Sequence, residues 1–556
     1  MIISPDLLND QLFDVCIVGA GPAGITASLE LEDSGLKILL VDSGTSNSNS
    51  QVQSNSDAII KNTLNHAPMH EAIRAQLGGT SSIWGGRCVP LDSTDFQVRD
   101  YMKNSGWPIS FDEINKYYPS ACTYSLCGKP NFSSLLNATK LNGGLTPSMK
   151  DGNVLSSSLE RWSLPVNFWI NYQSRLKDSS SISVLTGFSC TKINFKKIKN
   201  HVSSIYVKNL QGSRKKICAK YYIVACGGLE TTRLLLDSDK LHKKGVGNKS
   251  GLLGKFYMGH ISGKIASIQF TKDIDRVSYN FEKDYDGVYC KKRLTISESE
   301  QNKSQLLNFS AWIDHPLMGN HRHGSGFLSL AYLALCTPFF GRLLAPDAII
   351  RYAKESNPDN SYTKHVKNIF LDFHRLIFII PVFMWKKFAK KRKLPGLQIF
   401  SRSGSYPLHY HAEHSPNKKS KVSLSNEKDD LGRRRLLIDF NYSDTDVDSV
   451  IKNHQIIDDY LRSNKLGYLK YDMKDLNKRV FFQARDGFHQ IGTTRMSKEA
   501  HDGVVDLNCR VHGVENLYVS SSSVFPTSGQ ANPTLTIVAL SIRVAHTMKR
   551  LFKLKT

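Results

Sequence analysis

The cysteines of this chain lack the spacing that a metal-binding module or a disulfide framework requires. Ten cysteines are scattered over 556 residues, only Cys122 and Cys127 lie close together, and neither a CxxC pair nor a Cys/His ligand pattern occurs. Such spacing favours reduced thiols and argues against a metal site. The first eleven residues also lack the basic start, apolar stretch and small-residue cleavage site of an export signal. We therefore expect a cytoplasmic protein without a metal ion.

Acidic residues are scarce relative to basic ones. The chain has 73 Lys and Arg against 49 Asp and Glu, which gives a formal net charge of +24. A basic excess of this size can attract nucleic acid, anionic membrane surfaces or acidic glycans, and a basic surface without a specific partner is an equal alternative. No RNP-type aromatic signature, zinc-finger spacing or basic zipper accompanies the charge. We expect no nucleic-acid partner.

The chain also lacks an uninterrupted hydrophobic run that clearly spans a bilayer. Two apolar stretches, 326–344 and 369–384, are near or below the roughly 20 residues that a transmembrane helix needs. They are interrupted by proline and charged residues and are followed by a basic cluster at 386–393. This apolar and basic insertion, at about 326–393, favours a peripheral contact with the inner membrane surface. A buried helical pair or a partner interface is the alternative.

A β-α-β unit is the clearest feature that is present. Residues 13–20 read as a buried strand that enters a glycine turn, 23–34 follow a helical pattern, and 37–42 read as a second strand. Further along, 183–186 and 221–225 look like strands, and 201–208 followed by a basic turn at 214–216 suggests a β-meander. The Ser/Asn-rich segment 45–55 reads as a loop, and 534–552 as a C-terminal helix.

The first turn of that unit carries a nucleotide-binding fingerprint. Gly19, Gly21 and Gly24 form a GxGxxG between strand and helix, and Asp42 ends the second strand. The first glycine permits the tight turn, the second lets the backbone approach a pyrophosphate, and the third lets helix and strand pack closely. The Asp42 carboxylate can accept hydrogen bonds from ribose hydroxyls. FAD and NAD both use this unit, so the fingerprint alone does not choose between them.

A set of further motifs follows in a fixed order. They are LGGTSSIWGG at 77–86, GWP at 106–108, YIVACGGLETTRLLL at 222–236, HQIGTTRM at 489–496, NLYV at 516–519 and FPTSGQANPTLT at 525–536. In this order they resemble the glucose-methanol-choline (GMC) oxidoreductase family, with the closest likeness to its sugar dehydrogenases and pyranose oxidases. The likeness covers both ends and much of the middle, whereas 272–395 carries no matching motif.

The resemblance implies an α/β fold, α+β overall, with two domains. One is a Rossmann-like FAD-binding domain around a parallel sheet, and the other is a substrate domain around an antiparallel sheet that includes a strand at 420–425. The FAD-binding domain is expected to be discontinuous, formed by 1–110, 180–265 and 480–556. The substrate domain is expected to comprise 111–179 and 266–479, with the insertion inside it.

The resemblance also implies FAD as the cofactor. Gly78 and Gly79 are expected to contact it through backbone amides. The other expected cofactor contacts in the matched motifs are Ser82, Gly227, Asn532 and Pro533, beside Gly19, Gly21, Gly24 and Asp42. Pyranose oxidases carry a histidine that bonds covalently to FAD at the position matching Ile83. Isoleucine cannot form that bond, so we expect FAD to be held noncovalently.

Two residues of the tail are implied as catalytic. Oxidation of an alcohol removes the hydroxyl proton and the carbinol hydride, and a neutral imidazole suits the first task. By resemblance His489 is this base, and Asn532 holds the substrate oxygen. Pro533 and Thr534 begin the last helix, whose positive end is expected to face the flavin. The bland alternative is that His489 and Asn532 only order their loops.

The implied activity is oxidation of a CH–OH group, with a small-molecule or glycan alcohol, such as a sugar or glycoside, as substrate. An oxygen-using oxidase, a non-catalytic flavin-binding membrane-associated subunit and an NAD-dependent dehydrogenase are the alternatives, and no motif identifies the electron acceptor. His409, His411 and His414 cluster with Glu413 at spacings that suggest a metal. We favour a structural or substrate-cavity role for these histidines, because no cysteine or second carboxylate accompanies them.

Overall fold

The architecture comes from a computed structural model. It describes residues 1–553 apart from 9–10, 136–140, 164–166, 197–199, 239–243, 346, 356–360, 397, 402–403 and 472–473. The strands in this part of the chain are β1 Leu12–Val18, β2 Ile38–Asp42, β3 Ile59–Ile60, β4 Arg87–Cys88, β5 Val154–Trp162, β6 Ile182–Thr186, β7 Ser189–Phe195, β8 Val202–Lys208, β9 Arg214–Val224, β10 His260–Phe270, β11 Glu282–Lys283, β12 Tyr289–Ile296, β13 Phe309–Ile313, β14 Ser405–Glu413, β15 Lys421–Lys428, β16 Arg434–Asp439, β17 Gly467–Tyr471 and β18 Leu517–Val519.

The α-helices alternate with these strands near both ends and cluster in the insertion. They are α1 Pro22–Leu31, α2 Ser50–Ser54, α3 Met69–Ala72, α4 Ser93–Phe96, α5 Phe111–Asn115, α6 Tyr118–Tyr124, α7 Phe168–Asp178, α8 Gly228–Asp237, α9 Glu298–Ser304, α10 Gly326–Cys336, α11 Pro338–Leu344, α12 Asp347–Glu355, α13 Tyr362–Leu371, α14 Phe373–Met384, α15 Asp444–Ser463, α16 Leu476–Gln483 and α17 Thr534–Lys553. A π-helical turn, Trp385–Ala389, extends α14.

The first sheet has a parallel core in the order β6-β2-β1-β9-β18. Val15, Cys16 and Ile17 in β1 are fully buried, as expected for a parallel strand covered on both faces. The first half of β9 pairs antiparallel with β8, and β8 pairs with β7, so the predicted meander joins the sheet at one edge. Helices α1 and α17 pack against each other beside this sheet. The Rossmann-like part of the predicted fold is confirmed.

The second sheet is antiparallel, in the order β17-β10-β14-β13-β12-β5-β4, with β11 beside β12. Side chains alternate between its faces. One face carries Ile261, Phe309 and Ala412, which join a buried apolar cluster with residues of α15. The opposite face carries polar residues such as Ser262 and His411, which are cross-strand partners. This confirms the predicted mixed α/β class with a second, antiparallel sheet.

Some elements differ from their sequence-based assignments. Segment 45–55 contains the short helix α2, because the Asn49 side chain caps it by accepting hydrogen bonds from two backbone N–H groups. The strand expected at 420–425 is β15, which belongs to a separate three-stranded sheet with β16 and β3. Strand β4 and the start of β10 belong to the antiparallel sheet although they lie inside segments assigned to FAD binding. The domain boundaries themselves stay a prediction.

The insertion forms a helical group rather than one pair of helices. Within the described residues, no single helix is long and apolar enough to cross a membrane. Two pairs reach that length and composition only together, α10 with α11 and α13 with α14 and its π-turn, and each pair is bent sharply, by 112° and 91°. Arg392 donates to the carbonyls of Trp162 and Leu126, which ties the basic end of the insertion to the body of the protein.

A buried ion pair joins the segment after α4 to the end of β14. Arg99 donates to both carboxylate oxygens of Glu413, at 2.7 and 2.6 Å, and both side chains are almost completely buried. Glu413 also accepts a hydrogen bond from the backbone of Asn308. A buried carboxylate that loses its cation is expensive, because neither water nor another charge compensates it.

Arg99→Met should therefore lower the free energy of unfolding by about 3–5 kcal/mol, since it leaves Glu413 charged and unpaired in the interior. The measurement is urea denaturation followed by tryptophan fluorescence. Arg462→Met is the matched control, because Arg462 pairs with Asp458 on a surface where 55% of its side chain is exposed. It should cost under about 1 kcal/mol. Equal losses in the two variants would contradict this role of the buried pair.

Candidate active site

The glycine turn after β1 has no room for a side chain at two of the three glycines of the GxGxxG motif. Gly19 has φ of 108°, and a Cβ added there would lie 2.5 Å from the Ala225 carbonyl oxygen. A Cβ on Gly24 would lie 1.8 Å from the Gly19 carbonyl oxygen, inside any permitted contact. The tight turn thus explains Gly19, and the close packing of the helix against the turn explains Gly24. Gly21 caps the N-terminus of α1.

Gly21 faces a second glycine loop. Its nearest neighbour, measured from an added Cβ, is the Cα of Gly79 at 4.0 Å, so a Cβ there would meet no clash. The loops are tied together because the Gly78 N–H donates to the Ala20 carbonyl at 2.8 Å. Two side-chain-free backbones at the positive end of α1 fit an anionic diphosphate. Contact of these glycines with the pyrophosphate stays a prediction.

Asp42 lies against the same turn. Its carboxylate accepts hydrogen bonds from the backbone N–H groups of Ala20, at 2.6 Å, and Gly44, at 2.7 Å. Burial raises the pKa of Asp42 to about 6, with the two N–H donors opposing that rise. Ionised Asp42 thus holds the first turn to the end of β2 and keeps acceptor capacity for hydroxyl groups.

The remaining predicted cofactor contacts lie in a helical turn or immediately before a helix. Ser82 closes a helical turn by donating to the Gly79 carbonyl at 2.9 Å. Gly227, with φ of 79°, is the N-cap of α8, and the N–H of Leu229 in the first turn of that helix donates to the Gln490 side chain at 3.0 Å. The start of α8 is thereby linked to the residue beside His489. Pro533 immediately precedes α17, and its carbonyl accepts the Ile537 N–H.

The two predicted catalytic residues are in direct contact. The Asn532 Nδ2 atom lies 2.9 Å from His489 Nε2, although 43 positions separate them in the chain. Since an amide nitrogen only donates, His489 Nε2 accepts in this arrangement and carries a lone pair. The Oδ1 atom of Asn532 is buried and has no hydrogen-bond partner in the described part of the protein. The amide oxygen is therefore available to a hydroxyl group, whereas a hydroxyl that reaches His489 Nε2 must replace the Asn532 N–H on its single lone pair.

Asp486 orients His489, and the sequence analysis missed it. Its Oδ2 lies 2.9 Å from His489 Nδ1, and its Oδ1 accepts the backbone N–H groups of Phe488 and His489. Although burial opposes its ionisation, His489 and His260 hold the pKa of Asp486 well below its usual range. This carboxylate keeps the proton on Nδ1 and the lone pair on Nε2. The available signal was an acid three residues before the predicted base.

Two further histidines adjoin His489. The His260 ring stands edge-on to His489, with centroids 4.6 Å apart, and stacks on His411 at 4.1 Å. Burial lowers the pKa of His260 to about 4, and burial together with neighbouring cationic groups lowers that of His411 well below its usual range, so both are neutral at pH 7. His260 was not singled out from the sequence because it lies outside every matched motif.

The three rings offer nitrogen atoms within 4.8 Å of one another, a spacing that a metal could use. However, both nitrogens of His489 already face Asp486 and Asn532, and a metal would have to displace one of them. The histidines that cluster in sequence separate in space. His409 pairs with Asp314 at 3.1 Å, whereas His414 faces the Asn441 carbonyl at 3.0 Å. Only His411 of that group reaches His489.

Comparison with known protein families agrees with this arrangement. The description "GMC oxidoreductase" matches residues 416–541, which include His489 and Asn532. A second family description, "Pyridine nucleotide-disulphide oxidoreductase", matches residues 13–250, which include the glycine turn and Asp42. The chain belongs to the GMC oxidoreductase family. The cofactor implied by both matches is FAD, and the glycine loops described above fit it.

Relatives resemble this GMC oxidoreductase over nearly their whole length. The 2-methyl-1,2-propanediol dehydrogenase of Mycolicibacterium austroafricanum is 21% identical, over 97% of this chain and 95% of that protein. The fructose dehydrogenase large subunit of Gluconobacter japonicus is also 21% identical, over 96% and 97%. The crystal structure of pyridoxine 4-oxidase from Mesorbium loti superposes with a TM-score of 0.55 at 15% identity, covering 96% of this chain and 99% of that one. The last likeness is one of fold.

Gly21→Val in this GMC oxidoreductase should fold normally yet lose FAD. The new side chain meets no protein atom closely at its Cβ, but it occupies the space between the two glycine loops. We expect FAD affinity to fall at least tenfold, measured by flavin absorbance after gel filtration and by titration of the apoprotein. Gly152→Val, at an exposed loop with nothing near its Cβ, is the matched control. Retention of flavin by Gly21→Val would argue against the proposed diphosphate position.

Proposed function

We propose that this protein oxidises the CH–OH group of a small hydroxylated substrate, such as a sugar or glycoside, with His489 as the base. The observation that carries the proposal is the 2.9 Å contact between His489 Nε2 and Asn532 Nδ2, with the Asn532 oxygen buried and unpartnered. A substrate hydroxyl that displaces the Asn532 N–H from His489 Nε2 gives its proton to that nitrogen. The Asn532 amide then donates to the oxygen, where negative charge develops.

Asp486 is a positioning residue in this scheme. It fixes the His489 tautomer and stabilises the positive charge that His489 gains with the proton. When bound, FAD supplies the hydride acceptor, which is N5 of its flavin ring. Proton removal by His489 makes the substrate a better hydride donor. The two catalytic residues thus act on the oxygen while hydrogen leaves from the adjacent carbon.

The FAD is proposed to be noncovalent and the enzyme to be a dehydrogenase. Ile83, in the glycine-rich loop that begins at Gly78, offers no nucleophile for a covalent link. Two relatives of nearly full length are named dehydrogenases, of a diol and of fructose, which supports the alcohol and sugar assignments. The alternative is an oxidase that passes electrons to oxygen. Peroxide production under air distinguishes the two, and release of FAD by denaturant tests the noncovalent link.

His489→Ala should keep FAD bound while the rate of flavin reduction by an alcohol substrate falls by about 10²–10⁴. The measurement is anaerobic stopped-flow bleaching of the flavin with a panel of sugars and diols. His512→Ala is the control, since His512 hydrogen-bonds Ser497 away from this centre. An unchanged rate in His489→Ala would remove the base assignment and with it the proposed mechanism.

Asp486→Asn should lower kcat at least tenfold and change KM little, because it removes the charge that orients His489 without touching the substrate. Steady-state kinetics of the FAD-loaded variant measure both parameters. Asp458→Asn, on α15, is a control carboxylate that pairs with Arg462 at the surface. A KM effect alone would assign Asp486 to substrate binding instead.

We also propose that the insertion lies on an anionic membrane at the cytoplasmic face of the inner membrane. Helices α11, α13 and α14 expose large apolar side chains, and Phe339, Phe370 and Phe378 are 74–76% exposed. Lys386, Lys390 and Lys391 are exposed just beyond this apolar surface. Apolar side chains beside lysines fit the acyl boundary and the anionic headgroups of a bilayer surface.

Phe370→Ser combined with Phe378→Ser should abolish cosedimentation with phosphatidylserine-containing vesicles, because it removes two of the most exposed apolar side chains from this surface. Wild-type protein should pellet with those vesicles and much less with neutral phosphatidylcholine. Phe482→Ser is the control, since Phe482 is 82% exposed but lies on α16, outside the insertion. Equal pelleting of all three proteins would contradict the membrane proposal.

A further inference from the structure

The polar face of the antiparallel sheet continues from His411 across four more strands. Cross-strand pairing puts Trp312 beside His409, Lys291 beside Glu160, and Arg87 beside Trp162. The neighbours of these residues along each strand point to the opposite face of the sheet. The face reaches the catalytic loop because the His411 ring lies 5.4 Å from that of His489.

Buried cations dominate this face. Arg87, Lys264, Lys291 and Arg293 are each 92–98% buried. Glu160 lies 2.6 Å from Arg87, and Asp314 lies 2.9 Å from Lys264, so two of the four have a carboxylate partner. The other two, Lys291 and Arg293, make no ion pair within the described residues.

The unpaired cations keep open donor positions. Arg293 donates from Nη1 to the Gln530 side-chain oxygen at 2.7 Å, while its buried Nε has no partner. Asp92 and Asp95, two acids whose charge acts on Arg293, accept amide hydrogen bonds from Gln530 and Asn308. The Lys291 ammonium stands over the Phe281 ring, 4.9 Å from its centroid. The buried Nη2 of Arg87 is also without a partner.

Unpaired charge in a protein interior is strongly unfavourable unless another charge compensates it. Arg293 meets Asp92 and Asp95 only across amide side chains, and Lys291 has no carboxylate in direct contact among the described residues, so an anion bound between these two cations would be strongly stabilised. Gln530 links this face to the reaction centre. It binds Arg293 through its side chain and His411 through its carbonyl, and it lies two residues before Asn532. An anion here would be attached to, or lie beside, the molecule that meets His489.

We propose that Arg87, Lys291 and Arg293 bind an anionic group of the substrate, so that the alcohol oxidised belongs to an acidic sugar or polyol. This inference rests on the proposed alcohol oxidation at His489. The shared chemistry is an oxyanion on a hydroxylated carbon skeleton, either a carboxylate or a phosphate ester. Such a group hydrogen-bonds well to guanidinium and ammonium donors. It would hold the skeleton at one end while His489 and Asn532 receive a hydroxyl at the other.

Binding of simple anions tests the site without turnover. Sulfate and acetate, which stand for phosphate ester and carboxylate, are titrated into the FAD-loaded enzyme by calorimetry. Lys291→Met should weaken binding of whichever anion binds wild type more tightly, raising its Kd at least tenfold. Arg293→Gln provides a second variant if the first fails to fold. Lys470→Met is the control on an exposed position of the same sheet. Equal anion binding by wild type and both variants would overturn the proposal.

Substrate preference forms the second arm. Anaerobic flavin reduction is compared for glucose, glucuronate and glucose 6-phosphate. The second-order rate constant of flavin reduction by one of the two acidic sugars should exceed that by glucose at least tenfold. Lys291→Met should reduce this ratio. A neutral sugar that is oxidised as well as its acidic analogues would overturn the inference while leaving alcohol oxidation intact. If anions bind at this face but no alcohol reduces the flavin, the proposed function fails and the anion site stands.

The pH dependence of anion binding gives an independent signature. Burial lowers the pKa of Lys291 to about 8, with Asp314 and Glu160 opposing that shift and Arg87 and Lys264 adding to it. Sulfate binds the protonated ammonium, so its affinity should fall as pH rises through about 8. Lys291→Met should lack this fall, because it removes the group that titrates near pH 8. A wild-type profile flat from pH 6 to 9.5 would contradict a role for Lys291.

Discussion

The buried carboxylate of Asp486 is the contact on which the site depends. It accepts a hydrogen bond from the backbone N–H of His489 and orients the His489 ring. It also accepts the backbone N–H of His260, the first residue of β10, at 2.6 Å. Close approach requires glycine nearby, since a Cβ on Gly259 would lie 2.6 Å from an Asp486 oxygen. The backbone of Asp486 also bonds to Asn65 and Ala67. Asp486 therefore connects His489, the first residue of β10 and the segment at 65–67.

The two sheets divide the chemistry between them. The parallel sheet presents backbone at its glycine turns, where diphosphate recognition needs N–H groups and close approach rather than side chains. The antiparallel sheet presents side chains, with an apolar face that forms the core and a polar face that meets His489. Gln530 and Asn532 lie between these surfaces, just before α17.

Local sequence predicted the elements whose signal is local. The glycines at 19, 21 and 24 and the strand ending at Asp42 define a turn through backbone geometry alone, and the structure has that turn. His489 and Asn532 were found by motif, since nothing in their spacing of 43 residues indicates contact. Asp486, His260 and the cationic face were missed. His260 and the cationic face are assembled by strand register and by contacts between distant parts of the chain, which periodicity does not encode, whereas the signal for Asp486 was its place three residues before His489.

The sequence by itself determined the family and the nucleotide turn and predicted His489 as the base, because glycine conformations and ordered motifs are encoded in consecutive residues. Only the tertiary structure decided which nitrogen of His489 carries the lone pair, which histidine of the 409–414 cluster reaches it, and which charges share a buried face. Those properties depend on distances between side chains from separate strands, and the direction of each side chain follows from its register. Burial then makes an uncompensated charge unfavourable, so the buried members of this set need an opposite charge nearby.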